Sequence, residues 1–317
     1  MAGTRSTVSG SFMVDLQGVP CGFVRSAEGG DAVGVVVEEG PKSGAFTKKH
    51  IGQLKYDAVQ LVFGLDMTPD IYEWIEASWK QNYSRKDGSI VVTDPSLQAV
   101  STREFFHALI TEVTIPDLDA SSKDAAHLTM KFAPEYTRDV KASGKVTAPK
   151  SPAQKQLVAS NFRFELDGLP GARVSRIDSF TVKQPVVEDD IGSTRDAPVE
   201  PGRIDFPNLR VTISELDAGP WTDWAQDFLV NGNNDDAHEK SGAIVFLSPN
   251  RKTELARIIL HNVGIFALRR APAAMATQVA HVLADLYCER MDFAVGKPAL
   301  EPVPPLRRPV PLPTPSR

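Results

Sequence analysis

The strongest constraint on this fold is a pattern that occurs twice, 150 residues apart. Residues 11–20 read SFMVDLQGVP and carry Phe12, Val14, Leu16, Gly18 and Pro20. Residues 161–170 read NFRFELDGLP and carry Phe162, Phe164, Leu166, Gly168 and Pro170. Trp74 and Trp224 keep the same offset, each just after a proline. An internal repeat governs the reading of every local motif inside it. Each unit has the size of an ordinary domain, and the 317 residues hold two.

The two halves also match in charge. The net charge of -5 divides into -3 for residues 1–150 and -2 for the rest. That balance gives no electrostatic basis for specific nucleic-acid binding. With 42% hydrophobic and 24% charged residues, the chain has the composition of a folded protein. Cys21 and Cys288 do not form a disulfide framework and read as reduced core thiols. MAGTRSTVSG lacks the apolar run of a secretory signal, and no stretch is long and apolar enough for a membrane segment. The expected compartment is therefore cytoplasmic.

Alternation of apolar and polar residues predicts strands. In the first half they fall at 11–17, 33–37, 55–63, 89–93, 104–115 and 125–132. Thr68 and Pro69 open a helix whose stripe is Ile71, Trp74, Ile75 and Ser78, widened by Tyr72 and Trp79. Residues 38–53 have no period and read as a long loop, and Lys86-Asp87-Gly88 reads as a turn. The second half repeats the order, with strands at 162–167, 174–182, 206–213, 242–247, 254–268 and 281–293. Its helix starts at Pro220 and places Trp221, Trp224, Ala225 and Phe228 on one face. An acidic loop at 187–203 takes the place of the first half's lysine-bearing loop. Residues 269–278, RRAPAAMATQ, read as an insertion.

The predicted fold is mainly β: two tandem β-sandwich or barrel domains, each with one flanking helix. The expected boundaries are 1–140 and 159–295, with a linker at 141–158. Residues 296–317 hold 8 of the 24 prolines and read as a disordered, Pro-rich tail.

No catalytic, cofactor-binding or metal-ligating constellation emerges. The six histidines do not pair at helical metal-binding spacing, and HExxH, GxSxG and phosphate-loop motifs are missing. Asn233-Asn234-Asp235-Asp236, with His238 and Glu239, lacks the bidentate acid of a calcium loop and reads as a solvated turn. Asp117 with Asp119, and Glu188-Asp189-Asp190, lie in loops with no cleft to bring them together as catalytic carboxylates. The four tryptophans at helical spacing read as core. The Pro-rich tail contains PxxP-like steps, the form of a docking peptide, but reads as a solvated extension.

Particular residues narrow the choice among β folds. Gly52, Lys55, Tyr56 and Leu61 form a glycine-bearing turn leading into a K-Y-x-x-x-x-L strand. Trp74 follows on a helix, and a later strand ends at Ile115-Pro116 before an Asp-Leu-Asp-Ala-Ser loop. In this order the motifs resemble the tail-tube protein family of contractile phages and phage-tail-like injection systems. The resemblance covers about residues 9–137. The second half keeps Phe206, Val211, Trp224 and Ile265 but lacks the Pro-Asp-Leu-Asp loop.

The resemblance implies a structural, non-enzymatic component of a virion or tail-like particle, with no cofactor. It implies self-association into rings around a lumen, as a pseudo-hexameric trimer or a hexamer, and contact with other tube, sheath or baseplate proteins. A baseplate adaptor or tube-terminating protein is the alternative, and a carbohydrate-binding β-sandwich module a more distant one. The opposite charges of Lys42, Lys48 and Lys49 and of Glu188, Asp189 and Asp190 suit two loops that meet across an interface.

Overall fold

The computed structural model describes residues 10–40, 46–142, 144–147, 157–169, 174–188, 198–271 and 280–295. The linker centre and the Pro-rich tail lie outside the described residues, as do Lys42, Asp189 and Asp190.

The first half opens with β1 (Ser11–Leu16), β2 (Val19–Val24) and β3 (Ser26–Glu28). Gln17 and Gly18 both take positive φ, the two-residue turn whose twist matches an antiparallel hairpin. A ribbon follows, made of β4 (Ala32–Glu39) and β5 (Lys48–Tyr56), and then β6 (Val59–Phe63). The helix α1 (Pro69–Trp79) starts at Pro69 and buries Ile71, Tyr72, Trp74, Ile75, Ser78 and Trp79. The strands β7 (Lys86–Thr93), β8 (Ala99–Ile115), β9 (Leu118–Asp119), β10 (Leu128–Ala133) and β11 (Tyr136–Val140) complete this half.

The second half contains β12 (Phe162–Leu166), β13 (Val174–Ile177), β14 (Phe180–Lys183), β15 (Val186–Glu188), β16 (Val199–Pro201) and β17 (Leu209–Ser214). The helix α2 (Gly219–Ala225) continues as a π-turn through Val230. The strands β18 (Lys240–Leu247), β19 (Glu254–Arg270) and β20 (His281–Val295) follow.

The mainly β prediction holds, with one α-helix among the described residues of each half. The first sheet runs β2-β1-β7-β8-β10-β6-β3, and the second β12-β18-β19-β20-β17-β13-β9. From β1 and from β12 onward, the two orders correspond strand for strand. Finer features correspond too. Gly88 faces Leu16, and Gly242 faces Leu166. A Cβ on Gly88 would lie 2.2 Å from the Asp15 carbonyl oxygen, and one on Gly242 2.2 Å from that of Glu165. Each long strand carries a non-glycine residue at positive φ, His107 in β8 and Asn262 in β19. Opposite each of them the register slips, at Lys86/Gly88 and at Lys240/Gly242. A bulge of this kind bends a strand and raises its twist, which lets a long strand curve round a core.

Several sequence expectations need correction. Residues 38–53 are not one long loop, because β4 extends to Glu39 and β5 begins at Lys48. This ribbon stands away from the core, so its residues show no buried-face period. Lys49 pairs with Glu38 at 2.5 Å on the facing strand. The acidic loop at 187–203 likewise contributes a short hairpin, β15 with β16. Lys86-Asp87-Gly88 is not a turn; it lies at the register slip inside β7. The run 174–182 splits into two strands, of which β13 pairs with β17 and β9, and β14 with β8. Arg269 and Arg270 belong to β19 rather than to an insertion.

The halves do not keep separate interiors. Buried residues from both form one cluster, from Val14 and Trp74 through to Trp221 and Phe293. Tyr72 stacks on Phe293 with ring centroids 6.2 Å apart, and Trp79 meets Phe293 edge-on at 5.7 Å. Helix α1 of the first half therefore packs on β20 of the second.

Candidate functional site

The most constructed polar and apolar meeting point is the junction where the two sheets exchange strands. It starts from the length of β8. Strand β7 covers one edge of β8 only as far as Ala108, while β10 and β11 cover the other edge. The segment beyond Ala108 would present an unpaired edge, which invites another strand. Strand β14 from the second half takes that place, with Phe180 opposite Ile115, Thr181 opposite Thr114, Val182 opposite Val113 and Lys183 opposite Glu112. The Thr114 and Thr181 hydroxyls lie 2.8 Å apart. Ser179 Oγ donates to the Ile115 carbonyl at 2.9 Å, and the Gln184 amide donates to that of Thr111 at 2.7 Å.

Pro116 has no amide hydrogen and ends β8. The chain then turns into β9, which pairs with β13 at Leu118–Ile177 and Asp119–Arg176. Each half thus lends a strand to the other. Arg176 sits among three carboxylates: Asp117 at 3.0 Å, Asp178 at 2.9 Å and Asp119 at 3.9 Å. Asp117 also accepts the Ser179 amide at 2.6 Å. The Ser121 hydroxyl and amide, with a smaller contribution from Arg176, hold the Asp119 carboxyl below the usual carboxylate range. Beneath this polar clasp, Val113, Ile115, Leu118, Ile177, Phe180 and Val182 are buried.

Two further contacts brace the junction. Ser78 Oγ on α1 donates to Gln184 Oε1 at 2.7 Å, between buried side chains. Arg85 donates to the Val199 carbonyl at 2.7 Å and pairs with Glu200 at 2.8 Å, which seats the β15–β16 hairpin on the first half. The corresponding β4–β5 ribbon is largely exposed. Val33, Val35, Val36, Val37, Phe46 and Ile51 are exposed on or beside it.

The residues weighed in the sequence separate as follows. Asp117 and Asp119 do meet, but around Arg176 rather than in a catalytic cleft. Glu188 ends β15. Trp74, Trp79, Trp221 and Trp224 are all buried, so none offers a face for stacking on a sugar or base. His238 pairs with Asp235 at 2.5 Å, whereas Glu239 turns away to Tyr287 and Asn262. No group of three potential metal ligands occurs among the described residues. Cys21 and Cys288 are free and buried; burial pushes their thiols up to about 11 and about 12. No described helix is long and apolar enough to cross a membrane. Sequence reasoning missed Arg176, Gln184, Arg85 and the Thr114–Thr181 pair. A signal was available in Ser175-Arg176, two adjacent polar residues between Val174 and Ile177 that break the alternation of the strand.

Residues 31–138 match the family model described as T4-like virus tail tube protein gp19. Over this segment the chain is similar to the tail tube family. The match begins at the foot of the β4–β5 ribbon and ends within β11, so it contains α1, β8 and the Pro-Asp-Leu-Asp turn. Comparison with curated proteins finds no match. Among solved structures, this chain is similar to a chain of the tube-terminating cap of the anti-feeding prophage, at 23% identity and a TM-score of 0.39. That alignment covers 45% of this chain and 95% of the cap protein. A chain of the sheath–tube complex of the PVC extracellular contractile injection system aligns at 21% identity and a TM-score of 0.36, over 41% of this chain and 88% of its own. A chain of the sheath/tube terminator of the PVC system aligns at 21% identity and a TM-score of 0.38, over 44% of this chain and 99% of its own. TM-scores below 0.5 leave these as likenesses only.

Proposed function

We propose that the chain is a tandem tube-type subunit of a contractile tail or injection particle. In this reading residues 1–140 and 159–295 are two copies of one domain, and the second has diverged. The shared strand order, the paired glycines at 88 and 242 and the paired bulges at His107 and Asn262 support duplication. The observation that carries the reading is the strand exchange between the halves. A tube ring needs neighbouring domains whose sheets run on into one another. The β14–β8 and β9–β13 pairings supply one such junction within a single chain.

Three chains would then close a ring with pseudo-sixfold symmetry, since a head-to-tail interface closes when its rotation divides the circle. Closure also removes the exposed sheet edges that a lone domain presents. Partners would be further rings, sheath and baseplate proteins, and the assembled site would be the particle rather than the cytoplasm. Negative-stain microscopy with native mass measurement tests this reading. Rings of three chains with a sixfold outline are expected. Six chains and twelve domains in one layer would overturn it. Copy number in the particle separates the roles: many copies mark the repeated tube subunit, and three mark an adaptor or terminator.

A further inference from the structure

In the second half, the edge that corresponds to the far part of β8 receives no strand among the described residues. Strand β18 covers one edge of β19 as far as Val263, and β20 covers the other edge to Arg270. Among the described residues, nothing pairs with the first edge from Gly264 to Arg270. This edge corresponds to the part of β8 that receives β14. The β-bulges fix the correspondence: β10 skips Thr111 and β20 skips Phe266. Ala267 thus stands for Glu112, Leu268 for Val113, Arg269 for Thr114 and Arg270 for Ile115. Phe266 is 44% exposed beside this edge.

Among the described residues, no further strand pairs with the segment that corresponds to β14 in the first half. Asp205 bridges Lys183 in the second half, and Lys55 faces Val33 in the first. Ile177 faces Val211, and Ala27 faces Leu61. Hence Gly30–Val33 stands for Phe180–Lys183. We infer that β19 at Ala267–Arg270 receives the start of β4 from a second copy of this chain, with Ala32 opposite Leu268 and Asp31 opposite Arg269.

The chemistry at these positions fits, although the register alone selected them. Within the chain, the Thr114–Thr181 hydroxyl pair occupies the position that Arg269 and Asp31 would hold between chains. The Asp31 side chain is 64% exposed and pairs with Arg103 at 2.9 Å. The Arg269 side chain is 59% exposed and shares Asp285 with Arg210, which leaves donors free for a further carboxylate. Opposite charges directly across an antiparallel pair stabilise it, and like charges oppose it. A Thr–Thr junction within the chain and an Asp–Arg junction between chains would make the two kinds of joint chemically distinct. A copy would then join second half to first half and reject the reverse pairing.

This inference rests on the ring reading, and the experiment separates the two. Association of the full chain is measured by sedimentation for Asp31→Arg, Arg269→Glu and the exchanged pair Asp31→Arg with Arg269→Asp. Each single reversal is expected to weaken association by about tenfold or more, and the exchange to restore it. Independently, Asp31→Cys with Arg269→Cys should form a disulfide between chains, since opposed residues in a ladder lie within disulfide reach. The native Cys21 and Cys288 are buried and do not compete. Rings that form normally in the reversals, with no crosslink, overturn the strand pairing and leave the ring intact. A wild-type chain that stays monomeric overturns both. Slow amide exchange over 264–270 in the dilute monomer would show the edge already covered, and would also overturn the pairing.

Discussion

At the residue scale, two glycines at corresponding positions are tightly restricted. Gly88 and Gly242 each face a neighbouring strand so closely that a methyl group would strike a backbone carbonyl. Substituting either by alanine forces that backbone to move, and overpacking of this kind costs about 1–3 kcal/mol. Gly88→Ala and Gly242→Ala should each lower the denaturant midpoint, and by similar amounts. A pH dependence follows from Asp285 and Asp292. Burial opposes the charge of both, but Arg210 and Arg269 outweigh it at Asp285, and His261 and Arg290 at Asp292. Both carboxyls are held below the usual range. The stability they contribute is therefore present above about pH 3.9, the ordinary aspartate value, and is lost as pH falls through their lower folded values. Asp285→Asn should cost about 1.5 kcal/mol at neutral pH, at the low end for charged hydrogen bonds because its arginines are half exposed. Denaturation as a function of pH checks this, and the gap to wild type should narrow in acid.

At the scale of elements, strands and helices with a buried face were legible in the sequence. Val59, Leu61 and Phe63 alternate with partly exposed residues in β6, as do Leu128, Met130 and Phe132 in β10. The stripe of α1 was legible for the same reason, since a helix on a sheet buries every third or fourth residue. The β4–β5 ribbon was not legible. It buries little on either side, so its register depends on cross-strand partners such as Glu38 and Lys49 rather than on hydrophobic period. The junction was not legible either. Asp117 and Asp119 could be read as loop acids, but Arg176 stands far from them in the chain, and only the fold brings them together. Phe293 offers the sharpest test at this scale. It is 1% exposed and touches both Tyr72 and Trp79 of α1. Phe293→Ala should cost about 3–5 kcal/mol and loosen α1, read as faster amide exchange across that helix in the other half of the chain.

At the scale of the whole molecule, the shared cluster of buried residues and the exchanged strands predict how the chain melts. Two independent domains would give two transitions. Here neither half completes its sheets without the other, so calorimetry should show one cooperative transition, with equal calorimetric and van't Hoff enthalpies. Isolated residues 159–295 should remain unfolded or form a loosely packed state, because β9 and the α1 cover on β20 are missing. The strand exchange between the halves also bears on the concentration at which any closed assembly forms. Two separate domains must meet by diffusion, whereas two domains on one chain face each other at an effective concentration in about the millimolar range. Half of the joints in a closed ring of such chains are therefore made before any two chains collide, and the dilution at which the ring falls apart is set by the remaining half alone.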